Sequence, residues 1–180
     1  HALAWAAPSV VLTMALGLLT GVQVMAARAV GEGRRHESGA VLRRGLVYGA
    51  WIGLASMAAL ALLGPFGLAH LGLAPELASG AAWPVVVFAL SLPTYVIACA
   101  ASFWLEGMSR PAPAMIIMWL ANAENLAFLL VLVPGAFGLP ALGAVGAAWA
   151  SFAARAFLMI GLLVFIATMR EAPELGVFAK

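Results

Sequence analysis

Aspartate is absent from this chain, and charge of either sign is scarce: Asp, Glu, Lys and Arg together make up 9% of the 180 residues, against 65% hydrophobic. A soluble domain carries roughly 25% charged residues. A surface so poor in charge does not stay dispersed in water, so lipid must cover much of it. The lack of Asp removes many metal and phosphate sites, among them those of aspartate-based lipid-headgroup transferases. A single cysteine, Cys99, lies in an apolar stretch. It excludes a disulfide framework and leaves the compartment unread. No Ser-His-Asp set, Cys/His metal spacing or P-loop occurs, so neither an enzyme nor a resident metal or cofactor is expected. The net charge is only +2. The basic residues stand beside apolar spans and not on a polar stripe, which argues against nucleic acid as a partner.

What charge there is has an informative distribution. Arg28, Arg34, Arg35, Arg43 and Arg44 crowd one short stretch between two long hydrophobic segments. A membrane-spanning helix needs about 20 apolar residues. Five segments qualify, at 3–27, 45–63, 82–105, 114–133 and 144–168. The shortest, 45–63, would extend about 28 Å, close to the hydrocarbon thickness. The connection 28–44 holds five Arg, 64–81 holds no Lys or Arg, 106–113 holds Arg110, 134–143 holds none, and the tail holds Arg170 and Lys180. This alternation obeys the positive-inside rule at every loop. It predicts an integral membrane protein, bacterial inner membrane being the expected location. The stretches 28–44 and 106–113 and the C-terminal end would be cytoplasmic, and the N-terminal end outside. The chain opens on His1 and enters an apolar run directly, without the basic start or cleavage site of a secretory signal. It reads as a piece that begins just before or within a membrane helix. Trp5, Trp83 and Trp149 fall near the expected outer ends, and Trp51, Trp104 and Trp119 near the inner ends, as interfacial belts favour.

The expected fold is therefore all-α, a polytopic transmembrane helix bundle. Helices in lipid associate through small residues that let backbones approach. Gly45, Gly49 and Gly53 recur on one face of the second span, Gly17 and Gly21 in the first, and Ala147, Ala150, Ser151 and Ala154 in the last. Pro93, in the middle of the third span, removes a backbone hydrogen bond and predicts a kink. Gly31 and Gly33 break the chain after the first span. Ser109-Arg110-Pro111 ends the third, with proline suited to the opening turn of the fourth. Two sequences, Gly64 to Leu68 and Gly135 to Leu139, resemble each other as outer turns.

Polar residues at membrane depth are few, and each needs a partner or a task. The fourth span carries Asn122, Glu124 and Asn125; the last carries Arg155 near its middle; Gln23 lies near the inner end of the first. At 100° per residue Asn122 and Asn125 share a face, and Glu124 points about 100° from Asn125. Three readings of the charged pair stand open. Glu124 and Arg155 form an intramembrane ion pair or share an aqueous cavity; Glu124 is neutral and carries a proton; or Arg155 reaches an interface because its helix begins later. His36, Glu37, His70 and Glu76 fall in loops and read as solvated, and Glu106 as a surface ion-pair partner of Arg110 four residues on.

The stretch Gly17 to Arg34 (GLLTGVQVMAARAVGEGR) resembles the second helix and following loop of the MATE family, the multidrug and toxic compound extrusion transporters. Glu37 to Leu46 looks like the short basic amphipathic helix that follows there. Leu92-Pro93-Thr94 and Phe103 to Pro111 (FWLEGMSRP) look like the fourth family helix and its inner loop; Gly135 to Gly138, then Leu142 to Ala148, look like the loop into the sixth. The resemblance implies that 1–180 is a partial N-terminal lobe holding family helices two to six, five of a six-helix lobe. Its partners would be the first helix and second lobe of the same chain, together with membrane lipid and a small organic substrate. It also implies antiport: export of organic, often cationic, compounds in exchange for protons or sodium ions. The family places an Asn in the N-lobe cavity ten residues before the loop glycine, a position that falls on Asn125. The carboxylate that some members carry one turn later falls on Leu129, so Glu124 stands as the substitute at a different angle. Two alternatives remain: a lipid-linked saccharide flippase of the same superfamily, whose cavity would want several deep basic residues where this chain has Arg155, and a membrane assembly subunit without transport of its own.

Overall fold

The computed structural model describes the backbone of residues 2–70, 75–136 and 140–178, and within these the side chains of residues 13, 17, 19–62, 83–136 and 140–178. The described residues form helices and turns, with no strand. Helix α1 spans Ala2–Gly31, a 3-10 turn Arg35–Glu37, α2 Ser38–His70, α3 Pro75–Leu90, α4 Leu92–Gly107, α5 Pro111–Leu132 and α6 Gly143–Thr168. By length and composition, four stretches of described helix could cross a membrane: Arg35–Leu62, Trp83–Gly107, Pro111–Leu132 and Gly143–Thr168. The expected first span, 3–27, falls within α1, most of whose side chains lie outside the described residues.

Helix α4 forms the centre, packed against α1, α2 and α6, whereas α5 packs chiefly on α6. The sequence of α4 explains this. Ala98, Ala100 and Ala101 are fully buried there, and side chains this small let three neighbouring backbones approach at once. The glycine face of α2 meets α4 and α1. A Cβ on Gly53 would stand 2.5 Å from the Cα of Pro93, one on Gly49 3.4 Å from the Val96 carbonyl oxygen, and one on Gly45 2.8 Å from Val22. Gly17 and Gly21 differ from expectation: nothing among the described residues lies within 4 Å of a Cβ built on either.

Three expected boundaries shift. The span 82–105 is divided, since α3 stops at Leu90 and α4 starts at Leu92. Pro93 sits in the first turn of α4 and not as a kink inside one continuous helix, a position where its missing N–H costs nothing. Glu37 to Leu46 is not a separate short helix; from Ser38 onward it runs unbroken into the membrane segment as α2. At the other end α2 continues through Gly64 to Leu68, where an outer turn was expected. In lipid a backbone is better satisfied by further helical hydrogen bonds than by an open loop.

The basic connections meet at one end. The Gly39 N–H donates to the Leu175 carbonyl at 2.8 Å, Arg43 donates to the carbonyls of Gly176 and Val177, and Arg110 pairs with Glu171 at 2.6 Å. The connection 28–44, the turn before α5 and the segment after α6 therefore lie on one side of the bundle. The left-handed backbone of Gly33 (φ 73°) and Gly135 (φ 76°) makes the tight reversals after α1 and α5. Trp51, Trp83, Trp119 and Trp149 are exposed on the bundle surface. Trp104 departs from the belt: it is fully buried, and its indole N–H donates to the Ser38 carbonyl at 2.8 Å. The side chains of Trp5, His70 and Glu76 lie outside the described residues; His70 and Glu76, expected in a loop, have helical backbone at the end of α2 and the start of α3.

Candidate functional site

The polar residues of the fourth span lie on α5, a helix with only Ala114 and Ala121 buried. The side facing α6 carries Ile117, which fills the space over Gly161, and Glu124 and Asn125 lie half-buried further along. One carboxylate oxygen of Glu124, Oε2, is buried with no hydrogen-bond partner. Asn122 separates from this pair: it is exposed, and its Nδ2 donates back to the Met118 carbonyl at 3.0 Å. The structure thus half-buries both Glu124 and Asn125 and leaves Asn122 exposed. The helical angle between Asn122 and Asn125 had suggested the reverse, because angle alone does not say which flank of a face a neighbouring helix covers.

Glu124 and Arg155 do not form an ion pair. Arg155 stands near the middle of α6, so a late helix start does not lift it to an interface either. Its guanidinium lies over the ring of Phe88 at 4.2 Å and near that of Tyr95 at 4.9 Å. Its Nη1 donates to the Ser91 hydroxyl at 2.5 Å. Phe88, Ser91 and Tyr95 flank the break between α3 and α4. Ser91 passes its own proton to the Phe88 carbonyl at 2.6 Å, and Thr94 donates to the Ser91 carbonyl at 2.7 Å. A desolvated cation over an aromatic face is stabilised by about 2 kcal/mol. Two rings and a hydroxyl dipole therefore replace the carboxylate that sequence reasoning supplied. The signal was present in the spacing of Phe88, Ser91 and Tyr95, which puts all three on one helical face, and in a serine two residues before a proline, a helix-start pattern.

A second polar cluster ties α1 to α4. Glu106 accepts from Gln23 Nε2 at 3.2 Å and from the Ser102 hydroxyl at 3.4 Å. Arg110, expected to pair with Glu106, turns instead to Glu171, because the turn at Met108–Arg110 ends the helical spacing that the pairing assumed. At the basic end Arg34 pairs with Glu32 and, at 2.8 Å, with Glu37; Arg28 reaches Glu32 at 3.4 Å. The hydrogen bond from Arg34 holds the exposed Glu32 carboxyl below the usual carboxylate range. No group of three or more His, Cys, Asp or Glu able to hold a metal occurs among the described residues.

The chain is 59% identical over 180 residues to a probable multidrug resistance protein NorM of Caulobacter vibrioides, covering all of this chain and 38% of that protein. It is 25% identical over 163 residues to the multidrug resistance protein NorM of Vibrio cholerae, covering 91% of this chain and 35% of that one. The chain thus spans little more than a third of the length of these relatives. Among solved structures it superposes on a multidrug resistance MATE family transporter of the MOP superfamily in an inward-facing conformation. The TM-score is 0.80 at 19% identity, with 89% of this chain and 36% of the other covered, a likeness of fold. The family model named MatE matches residues 1–131. With its apolar helices and the bundle they form, this integral membrane chain belongs to the MATE family.

Proposed function

We propose that this chain forms helices two to six of the N-terminal lobe of a secondary antiporter, which exports organic, often cationic, compounds in exchange for protons or sodium ions across the bacterial inner membrane. The observation that carries the reading is the half-buried pair Glu124 and Asn125 on α5, with the Glu124 Oε2 buried and unpartnered. A half-buried polar pair at membrane depth is expensive unless something polar visits it. An unsatisfied carboxylate oxygen suits a proton, a sodium ion or an organic cation. The multidrug resistance named for relatives in Caulobacter vibrioides and Vibrio cholerae supports the same direction.

In this reading Asn125 offers its amide to substrate or ion, and Glu124 carries the charge that one cation at a time can satisfy. Mutual exclusion at one place couples inward ion flow to outward export. The first helix and second lobe of the same protein would complete the cavity. The bundle end where Arg28, Arg34, Arg43, Arg44 and Arg110 gather would face the cytoplasm. Drug efflux by the full-length protein, driven by an imposed ion gradient, tests the reading. Asn125→Ala is expected to lower efflux by at least an order of magnitude, and Glu124→Gln to uncouple efflux from the gradient, while both proteins keep their melting temperature. Unchanged efflux in Asn125→Ala would remove that residue from the site.

A further inference from the structure

The basic end of the bundle holds a hollow of about 480 Å³ between the ends of α1 and α2, within the size range of small-molecule sites. Arg28 of α1, Arg34 and Glu37 of the connecting turn and Arg44 of α2 form its polar wall; Met25 and Val41 belong to its apolar lining. The charges in it do not cancel. Glu32 engages both Arg28 and Arg34, and Glu37 engages Arg34. Arg44 is exposed and pairs with no carboxylate among the described residues. A second observation is independent of charge. On α2, Val47 and Trp51 follow Arg44 by one and two turns and are 56% and 68% exposed. On α1 the exposed Val24 adjoins Met25 of the hollow. An uncompensated guanidinium thus stands at the head of an exposed apolar stripe.

A ligand suited to both halves is amphiphilic, with an anionic head and apolar tails. We propose that this hollow binds the phosphate headgroup of an anionic phospholipid, with Arg44 and Arg28 on the phosphate and the acyl chains along Val47 and Trp51. Basic pockets between helices at the cytoplasmic surface hold such headgroups elsewhere. A free phosphate would use the same guanidinium groups but would leave the apolar stripe unused. The site rests on the membrane fold and not on the antiport reading, and its test does not measure transport.

The test is native mass spectrometry of the full-length protein, purified with equal phosphatidylglycerol and phosphatidylcholine. The wild type is expected to retain phosphatidylglycerol over phosphatidylcholine. Arg44→Ala should weaken that preference about five-fold, the scale of one basic residue at a charged membrane surface, and Arg44→Lys should keep most of it. Arg170→Ala, at the same end but outside the hollow, should change nothing. Arg44 is exposed, so these variants are expected to melt like the wild type. Equal retention of the two lipids, or an Arg44→Ala protein indistinguishable from wild type, would overturn the assignment. Arg44-dependent binding of inorganic phosphate to protein that retains phosphatidylglycerol and phosphatidylcholine equally would assign the hollow to a free anion and overturn the lipid.

Discussion

A guanidinium in the middle of an apolar helix needs partners that lipid does not supply. For Arg155 they are the faces of Phe88 and Tyr95 and the Ser91 hydroxyl. That Arg155 needed a partner was legible in the sequence; which partner it took was not. Glu124 was the only acid in the last two expected spans, so pairing by elimination led to it. Aromatic faces also stabilise a desolvated cation, and a rule that matches only opposite formal charges misses them. Ser91→Ala is expected to cost about 1–3 kcal/mol, since it leaves a buried donor on Arg155 unmatched. Arg155→Ala should cost more, because two ring contacts go with it. Thermal unfolding in detergent measures both. A double-mutant cycle should return a coupling above about 0.5 kcal/mol; strictly additive losses would mean that the two side chains do not meet.

Between helices, contact is decided by residues without side chains. Gly53 lets α2 ride on Pro93 at the first turn of α4, so the glycine face of one helix and the proline of another form a single packing unit. The four-residue glycine repeat announced a close approach, but the same repeat in α1 led to no contact, since Gly17 and Gly21 meet nothing within 4 Å among the described residues. Spacing shows which face can be approached and not which helix arrives. Gly53→Val is expected to lower stability by at least 1–3 kcal/mol, the usual range for overpacking, because the added atoms meet backbone that cannot turn aside. Gly21→Ala should be neutral, or stabilising by up to about 1 kcal/mol through helix propensity. Melting temperatures of the two variants side by side would show whether the two repeats differ in this way. The division between α3 and α4 belongs to this scale too. Serine and proline marked the place, yet apolar composition ran straight across it and made one span of two helices.

Across the whole chain, the arginine-rich connection 28–44, the turn before α5 and the segment after α6 meet at one end. The charge alternation had assigned these three to one side of a bilayer without any knowledge of packing. Reporter tags inserted near positions 34 and 170 are therefore expected on the same side of the membrane, and a tag near position 70 on the other. Tags at 34 and 170 on opposite sides would contradict the observed contacts. The sequence by itself determined that this chain lives in lipid, which stretches are apolar helix, and which ends share a side, because solvation by hydrocarbon acts on composition residue by residue. Only the tertiary structure decided that α4 is the centre, that Arg155 stacks on aromatic rings at a helix break, and that Glu124 and Asn125 are half-buried with one Glu124 oxygen unsatisfied. Those outcomes depend on which side chains reach one another across helices far apart in sequence, and hydropathy carries no record of such distances.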